Sequence, residues 1–341
     1  MDYAVAMTDP APSARLEDVA RLAGVSIVTA SRALRQPEKV AVPTRERIAA
    51  AAASLGYVPN LVAGALASAR SGVIAVLLPT ITSSIFASTI DGLTQKLEAE
   101  GYAILMAQSG YDATREQHVL TALLGRRPEG VVLIGSPMSE PSRTMLAAAS
   151  RGGMVVIETW ELPADPIDVA VGFDNGGVGT AAAAHLLGQG RRELGFLGGN
   201  DSRARTRWQA FRRAAEQAGA VAVAGEFAAP ATMDDVVEAH RAGTLPPGLL
   251  AADGIFASND VHAVGMLSVL RQAGRRVPDD VALIGLGDLA IGRHVVPALT
   301  TIAIDGYEIG RLAACAFLAR RRGEAVGHSD VGFTILRRES G

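Results

Sequence analysis

The stretch LEDVARLAGVSIVTASRAL, residues 16–34, contains two short helical patterns that meet at Gly24. Glycine allows the tight turn that connects two successive helices. The hydroxyl of Ser26 can accept a free backbone N–H at the start of the second helix. Apolar residues at helical spacing form the inner face of the first helix: Val19, Ala20, Leu22 and Ala23. The stretch therefore predicts a helix-turn-helix.

The second helix divides into an inner and an outer face. Its inner positions are Ala30, Ala33 and Leu34. Its outer positions are Ile27, Val28, Thr29 and Arg32. A recognition helix in the DNA major groove needs small or polar groups for base edges and thymine methyls, and an arginine can pair with guanine. Thr29 and Arg32 fit this chemistry, although a helical hairpin inside a larger core has the same pattern.

Two further segments extend the pattern. Thr44–Leu55 predicts a third helix, with Thr44 as its N-cap and Gly56 at its end. The sequence GYVPN at 56–60 and an apolar segment around Leu66 follow. Together these segments resemble the DNA-binding headpiece of the lactose/galactose repressor (LacI/GalR) family. Its motifs DVA-x-x-AGVS-x-x-T-x-SR, TRE-x-I and GY-x-PN are present at the family's spacing, followed by a hinge with a central leucine.

The resemblance implies roles for individual headpiece residues on a double-stranded, pseudo-palindromic operator. The base-reading positions are Ile27, Val28 and Arg32. The positions that face phosphates or cap helices are Ser26, Thr29, Thr44, Tyr57 and Asn60. Leu66 occupies the place of the hinge leucine that inserts into the minor groove, where an apolar side chain can kink the duplex. The apolar Val28 and the departures Ala30 and Ala41 leave the operator sequence open.

Charge is distributed unevenly along the chain. Residues 15–71 carry eight arginines and lysines against four acids, whereas the whole chain has a net charge of −3. A basic N-terminal module on an acidic remainder suits a DNA-binding head joined to a regulatory body. We expect a flexible arm at 1–14, a helix-turn-helix domain at 15–58, a hinge helix at 59–72 and a ligand-binding and dimerisation domain at 73–341.

From Val73 onward, apolar runs alternate with amphipathic segments. Val73–Pro79 is a continuous apolar run that is typical of a buried parallel strand. Two successive β-α-β series predict an α/β body with two open parallel sheets. The body resembles a two-lobed, periplasmic-binding-protein-like sensor with two Rossmann-like sheets. Its expected lobes are about 73–171 plus 303–330, and about 172–301 plus 331–341.

Ligands of parallel sheets bind at the carboxyl ends of the strands. Polar and aromatic residues that follow predicted strands are therefore candidates for a ligand site between the lobes: Ser83, Phe86, Glu158, Trp160, Asp201, Arg203, Arg207, Asn259 and Asp288. The resemblance implies that Arg207 anchors the effector and that Asn259 binds a hydroxyl. A solvated helix start is the alternative for Arg203 and Arg207, and core packing is the alternative for Phe86 and Trp160.

The predicted ligand site departs from many relatives at Gly287, within GLGD at 285–288, where an acid usually bonds sugar hydroxyls. An arginine-rich pocket without that acid favours an anionic ligand, because arginine pairs bidentately with carboxylates. The segments LLPTITSSIFA at 77–87 and IDVAVGFDN at 167–175 resemble the gluconate-utilisation repressor branch. Gluconate or a related sugar acid is the expected effector, with a neutral sugar, a sugar phosphate or a purine as alternatives.

The sequence argues against several other classes of protein. It has no complete dinucleotide loop, phosphate loop or nucleophile elbow, and its six histidines lack metal-ligand spacing. We therefore expect neither an enzyme nor a bound metal or cofactor. We also expect no membrane-spanning helix and no signal peptide. The expectation is a cytoplasmic homodimeric repressor, with a periplasmic-type sugar-binding receptor as the alternative from another class; whether the effector induces or corepresses stays open.

Overall fold

The computed structural model describes residues 14–58, 71–81, 84–135, 139–199, 201–227 and 232–341. The chain divides into two compact units, Met1–Ser71 and Gly72–Gly341. Three predicted site residues lie outside the described residues, namely Asn60, Leu66 and Ser83, as do most of the predicted arm and hinge helix. The roles given to these residues therefore stay predictions.

The N-terminal unit contains three α-helices among its described residues: α1 (Leu16–Ala23), α2 (Ile27–Arg35) and α3 (Val42–Ser54). Gly24 makes the turn between the first two with a φ of 63°, and the Val25 N–H donates to the Ala20 carbonyl at 3.0 Å. A small core of buried side chains joins the helices, and it contains Val19, Ala23, Ala33, Ile48, Ala51 and Ala52. The predicted helix-turn-helix is confirmed.

Two details of this unit differ from the sequence prediction. Leu22 is not on the inner face of α1, because 58% of its surface is exposed. Thr44 is not the N-cap of α3. That helix begins two residues earlier, with Ala41 at the cap and Pro43 in its first turn, and the Thr44 N–H donates to the Ala41 carbonyl at 3.0 Å. Proline suits this place because the first N–H groups of a helix have no intrahelical acceptor.

The second unit consists of two lobes, here called lobe 1 and lobe 2. Each lobe is built from one sheet and the helices that pack on it. Lobe 1 is built on a sheet whose strands are β1 (Val73–Leu78), β2 (Ala103–Gln108), β3 (Gly130–Ile134), β4 (Val155–Thr159), β5 (Val169–Gly172) and β11 (Ser329–Asp330). The described strands run in parallel in the order β11-β5-β4-β3-β1-β2. Its helices are α4 (Ala87–Glu98), α5 (Ala113–Leu124), α6 (Glu140–Arg151) and α13 (Gly306–Arg321).

Lobe 2 repeats the arrangement with a second sheet. Its strands are β6 (Glu193–Gly199), β7 (Val221–Phe227), β8 (Gly254–Ala257), β9 (Ala282–Leu286), β10 (Thr300–Ala303) and β12 (Thr334–Leu336), in the order β12-β10-β9-β8-β6-β7. Only β12 runs antiparallel to its neighbour in the described sheet. Its helices are α7 (Asn175–Gly188), α8 (Ser202–Gln217), α9 (Met233–Arg241), α10 (Pro247–Ala251), α11 (Asp260–Gln272) and α12 (Ala290–His294). The predicted fold class is confirmed.

Side chains in the loops after strands cap the N-termini of several of these helices. Asp112 accepts the Arg115 N–H at 2.6 Å at the start of α5, and Asn259 accepts the His262 N–H at 2.8 Å at the start of α11. A side-chain acceptor at this place satisfies one of the free N–H groups of the helix. None of the described helices is long and apolar enough to cross a membrane.

Helices α4 and α13 of lobe 1 pack in close backbone contact, which two glycines permit. A Cβ atom on Gly92 would overlap the Tyr307 carbonyl oxygen of α13. A Cβ atom on Gly310 would overlap the Thr89 carbonyl oxygen of α4. Because both obstacles are backbone atoms, a larger residue at either position must move one helix away from the other.

We expect Gly310→Ala to lower the free energy of unfolding by about 2 kcal/mol or more, the upper range for overpacking a rigid core. Gly188→Ala is the control, because Gly188 is also a helical glycine but a Cβ there meets nothing within 4 Å. That control should change the stability by less than about 1 kcal/mol, since alanine favours helix over glycine. Urea unfolding of both variants measures the difference, and equal stabilities would contradict this packing.

Candidate functional site

Helix α2 presents an exposed face that combines apolar groups and arginine. Ser26 caps the helix by accepting the Thr29 N–H at 3.1 Å, and the two hydroxyl oxygens lie 2.9 Å apart. Ile27 is 47% exposed and Val28 is 64% exposed. A shallow groove on this face is lined by Leu16, Ile27, Val28, Ser31, Arg32, Arg35 and Gln36. Such a surface can contact thymine methyl groups and the acceptors of guanine.

Thr44 lies on α3 and Tyr57 lies just after that helix. Both residues are half-buried. Tyr57 packs against the core of the N-terminal unit, and its N–H donates to the Ala52 carbonyl at 2.9 Å. The backbone N–H of Thr44 is likewise used inside the unit. Tyr57 therefore has a structural role in addition to the phosphate contact that the sequence predicts for both residues.

A cavity of about 290 Å³ lies between lobes 1 and 2 at the carboxyl ends of their strands. This volume is close to the lower limit of small-molecule sites. Lobe 1 supplies Thr80, Ile85, Phe86, Tyr111 and Trp160. Lobe 2 supplies Gly199, Asp201, Arg203, Arg207, Thr232, Met233, Asp234, Ser258, Asn259, Val261, His262 and Leu286. The wall is apolar and aromatic on the lobe 1 side and strongly polar on the lobe 2 side.

The charged part of the cavity is formed by two buried arginines at the start of α8. Arg203 is 5% exposed and Arg207 is 6% exposed, and their spacing of four residues puts them on one face of the helix. Arg207 Nη1 donates to Asn175 Oδ1, and Arg203 Nη2 lies 3.5 Å from Asp201 Oδ1. Arg203 Nη1 and Arg207 Nε have no hydrogen-bond partner among the described residues. Buried donors of this kind need an acceptor.

The protonation states of this cluster follow from burial and mutual charge. Asp201 caps α8 by accepting the Arg203 and Ala204 N–H groups at 3.1 and 3.2 Å. Burial alone would raise the pKa of Asp201, but both arginines and these bonds hold it below its usual value. Burial lowers the pKa of Arg207 to about 10, so its guanidinium stays charged at neutral pH. Burial raises the pKa of Glu161, whose carboxyl interacts with both arginines.

Aromatic side chains form the opposite wall. The rings of Phe86 and Trp160 meet edge to face with centroids 5.1 Å apart, and Trp160 contacts Phe173 at 5.9 Å in the same way. Trp160 Nε1 donates to Thr89 Oγ1 at 3.1 Å. Both Phe86 and Trp160 are buried, so they pack in the core and line the cavity at once.

Comparison with known proteins places both units in one family. Residues 15–60 match the bacterial regulatory proteins of the lacI family, and residues 183–340 match the periplasmic binding protein-like domain. The HTH-type transcriptional regulator GntR of Pseudomonas aeruginosa is 36% identical over 95% of this chain and 95% of its own length. GntR of Escherichia coli strain K12 is 33% identical over 94% of this chain and 96% of its own length.

The chain belongs to the lacI family of bacterial regulatory proteins. A solved structure agrees with this assignment along the whole chain. A LacI-family regulator from Silicibacter pomeroyi superimposes with a TM-score of 0.86 at 31% identity, covering 96% of this chain and 99% of that one. The similarity to the two GntR proteins also confirms the predicted resemblance to the gluconate repressor branch. The protein is thus a LacI-family DNA-binding transcriptional regulator, and these relatives are regulators rather than enzymes.

Two predicted ligand residues of this LacI-family regulator lie away from the cavity. Glu158 does not follow β4 but belongs to it, and its carboxylate pairs with Arg143 at 3.4 Å and accepts the Ile167 N–H at 2.7 Å. Asp288 follows β9, but its carboxylate pairs with Arg293 and Arg338. In both cases local ion pairs direct the carboxylate elsewhere, so neither residue lines the site.

The cavity is also lined by residues that were not among the predicted ligand residues. Tyr111 follows β2 and Ser258 follows β8, so the rule that selected the other candidates applies to both of them. His262 lies one helical turn after the cap Asn259, where a histidine also has a structural interpretation. Thr232 and Asp234 lie at the start of α9, and no sequence pattern brings that helix to the cavity.

Gly287 has a backbone reason to be glycine. Its φ is 123°, a conformation that residues with a side chain rarely adopt, and a Cβ atom there would approach Ile85 Cδ1 at 3.1 Å. Ile85 and Leu286 close the cavity at this point with apolar groups. No carboxylate stands at this part of the described wall.

Asp260 is the first residue of α11, directly after the cavity residue Asn259, and is fully buried. Its carboxylate accepts hydrogen bonds from Thr301 Oγ1 at 2.6 Å and from the Leu289 N–H at 2.7 Å. Burial raises the pKa of Asp260 to about 6, against the opposing effect of these bonds. The folded protein therefore holds this proton more tightly than the unfolded chain does.

We expect the Asp260 proton to make stability depend on pH. Between about pH 4 and about pH 6 the folded protein keeps the proton and the unfolded chain loses it, so the free energy of unfolding falls as the pH rises. A shift of about two pKa units corresponds to roughly 3 kcal/mol. Asp260→Asn cannot titrate, so wild type should lose stability relative to this variant over that range in urea unfolding. A constant difference between pH 4 and pH 7 would contradict the raised pKa.

Proposed function

We propose that this regulator binds a sugar acid, gluconate or a close relative, in the cavity between lobes 1 and 2, and that binding changes its affinity for operator DNA. The observation that carries the proposal is the pair Arg203 and Arg207. Both guanidinium groups are buried in the cavity wall, and each retains a nitrogen without a hydrogen-bond partner among the described residues. A carboxylate supplies two acceptor oxygens and a negative charge to such donors.

The rest of the lining supports a small polyhydroxylated acid. Asn259, Ser258 and Thr232 offer polar side chains on the lobe 2 side, which suit hydroxyl groups. Phe86 and Trp160 offer apolar faces on the lobe 1 side, which suit the carbon chain. The volume of about 290 Å³ accommodates a molecule of this size. Of the predicted set, we propose that Phe86, Trp160, Arg203, Arg207 and Asn259 contact the ligand, and that Asp201 holds Arg203 and the start of α8 in place beside it.

The groups around Arg203 and Arg207 favour an acidic ligand over a neutral sugar. Asp201 is engaged with the start of α8 and with Arg203, so it is a poor acceptor for sugar hydroxyls. Gly287 offers no carboxylate, and its neighbours Ile85 and Leu286 are apolar. Asp234 also lines the cavity, but it is exposed to solvent. Neutral sugars, sugar phosphates and purines are the competing effectors.

We propose that the regulator acts as a homodimer whose two helix-turn-helix units read the halves of a pseudo-palindromic operator. A ligand that contacts both lobes favours one arrangement of the lobes over another. This preference couples ligand binding to the affinity for DNA. Couplings of about 1–3 kcal/mol change an affinity by about 5- to 150-fold. A ligand that binds more tightly to the form that releases DNA is an inducer. We expect induction, because the proposed effector is a sugar acid.

On the DNA side, we propose that Ile27 and Val28 contact thymine methyl groups and that Arg32 pairs with a guanine. The exposure of the two apolar side chains and the shared groove with Arg32 support this assignment. Ser26, Thr29, Thr44 and Tyr57 are proposed to contact or orient toward phosphates. Asn60 and Leu66 keep the phosphate-contact and minor-groove roles that the family resemblance implies.

We expect Arg32→Ala to weaken operator binding and to remove the preference for one base pair of each half-site. A bidentate arginine–guanine contact is worth about 1–3 kcal/mol of discrimination. The operator is first obtained by selection from a random duplex library, and fluorescence anisotropy then compares it with single-base substitutions. If wild type and Arg32→Ala discriminate equally at every position, Arg32 does not read a base.

We expect gluconate to raise the melting temperature of the wild-type protein and to have no effect on Arg207→Ala. A ligand at a hundred times its dissociation constant adds about 2.7 kcal/mol, which a melting curve resolves. The panel contains neutral sugars, sugar acids, their phosphates and purines. Arg212→Ala is the matched control, because Arg212 lies on the same helix with 52% of its side chain exposed.

Three outcomes of this panel are informative. A shift with gluconate in wild type and in Arg212→Ala but not in Arg207→Ala supports the proposal. A shift confined to neutral sugars or purines contradicts the sugar-acid effector and leaves the DNA-binding regulator in place. An equal shift in Arg207→Ala removes that arginine from the ligand site.

A further inference from the structure

Tyr111 reaches the cavity through an unusual turn at the end of β2. Gly110 and Tyr111 both have positive φ angles, 70° and 58°. The Gly110 N–H donates to the Pro79 carbonyl at 2.7 Å, and the Ser109 N–H donates to the Leu78 carbonyl at 3.0 Å. These bonds hold the turn against the end of β1. As a result the Tyr111 side chain lines the cavity from the lobe 1 side.

The left-handed conformation of Tyr111 is costly for a bulky side chain. Among the described residues, the non-glycine residues with positive φ are Tyr111, Arg127, Trp160 and Asp288. Two of these four, Tyr111 and Trp160, are aromatic residues of the cavity wall. Strained residues of this kind concentrate at functional sites, where the surrounding structure holds them in place.

The phenol of Tyr111 faces the charged cluster of the opposite lobe. Burial raises the pKa of Tyr111, and the charge of Asp201 raises it further, while the charges of Arg203 and Arg207 and a hydrogen bond from Arg203 to the phenol oxygen act in the other direction. The phenol therefore keeps its proton at neutral pH and can donate a hydrogen bond. Arg203 carries a buried nitrogen, Nη1, that has no partner among the described residues. The donors of the two lobes thus converge on one region of the cavity.

We infer that the Tyr111 hydroxyl donates a hydrogen bond to the carboxylate held by Arg203 and Arg207, and so makes lobe 1 sensitive to the acidic group of the ligand. This inference rests on the proposed function. It gives the lobe 1 wall, otherwise mainly aromatic and aliphatic, a polar contact with the anionic end of the ligand. A neutral polyol lacks the charged acceptor, and hydrogen bonds to charged groups are the stronger ones.

The test is calorimetric titration of the full-length protein with gluconate and with glucitol, the corresponding neutral polyol. Tyr111→Phe keeps the ring and removes the hydroxyl, and we expect its affinity for gluconate to fall by about 10- to 100-fold. Tyr307→Phe is the control, because the Tyr307 hydroxyl donates to Gln95 Oε1 at 3.0 Å outside the cavity lining. Its gluconate affinity should stay within about twofold of wild type.

A second variant separates the hydroxyl from the strained backbone. Asparagine tolerates the left-handed conformation better than tyrosine does. Tyr111→Asn also removes the aromatic ring, so it should lose at least as much gluconate affinity as Tyr111→Phe does, whereas Tyr111→Phe keeps the ring and should melt close to the temperature of wild type. Loss of ligand affinity without loss of stability cannot come from a damaged fold.

The outcomes distinguish this inference from the proposed function. A wild-type protein that binds glucitol as tightly as gluconate contradicts the sugar-acid effector, and with it the role of Tyr111. A wild-type protein that prefers gluconate, together with a Tyr111→Phe variant of unchanged gluconate affinity, overturns the role of Tyr111 alone.

Discussion

The burial of Arg203 and Arg207 at the start of α8 is the constraint on which the proposed ligand site depends. Two guanidinium charges cannot be taken out of water without acceptors. Asn175 and Asp201 supply part of what they need, and Asp201 also fixes the first turn of the helix that carries them. The nitrogens that remain without partners among the described residues face a cavity that a small acid fits.

The two lobes contribute different chemistry to this cavity, and the proposed coupling of ligand to DNA binding rests on that difference. Lobe 2 provides charged and polar side chains, whereas lobe 1 provides aromatic surface together with Tyr111 and Trp160, which have positive φ angles. A ligand that engages both walls stabilises one arrangement of the lobes. We propose that this arrangement controls the DNA-binding unit, which carries an exposed face of apolar groups and arginine on α2.

Much of the fold follows from the sequence because its patterns are local. The turn at Gly24, the cap at Ser26 and the buried strand at Val73 each depend on neighbouring residues, and the structure agrees with them. The site was harder to predict because it depends on where side chains point. Glu158 and Asp288 have the right residue type near strand ends, but ion pairs with arginines hold them outside the cavity. Tyr111 follows β2 as other candidates follow their strands, but the positive φ angles of Gly110 and Tyr111 that bring its side chain to the cavity are not encoded by spacing.

Operator affinity measured with and without gluconate tests the central claim most directly. The operator comes from selection, and fluorescence anisotropy gives its dissociation constant for the wild-type protein at increasing ligand concentration. We predict a change of about 5- to 150-fold that saturates with gluconate and is absent with glucitol. An operator affinity that stays constant at gluconate concentrations that saturate the cavity would contradict the claim that this site controls DNA binding.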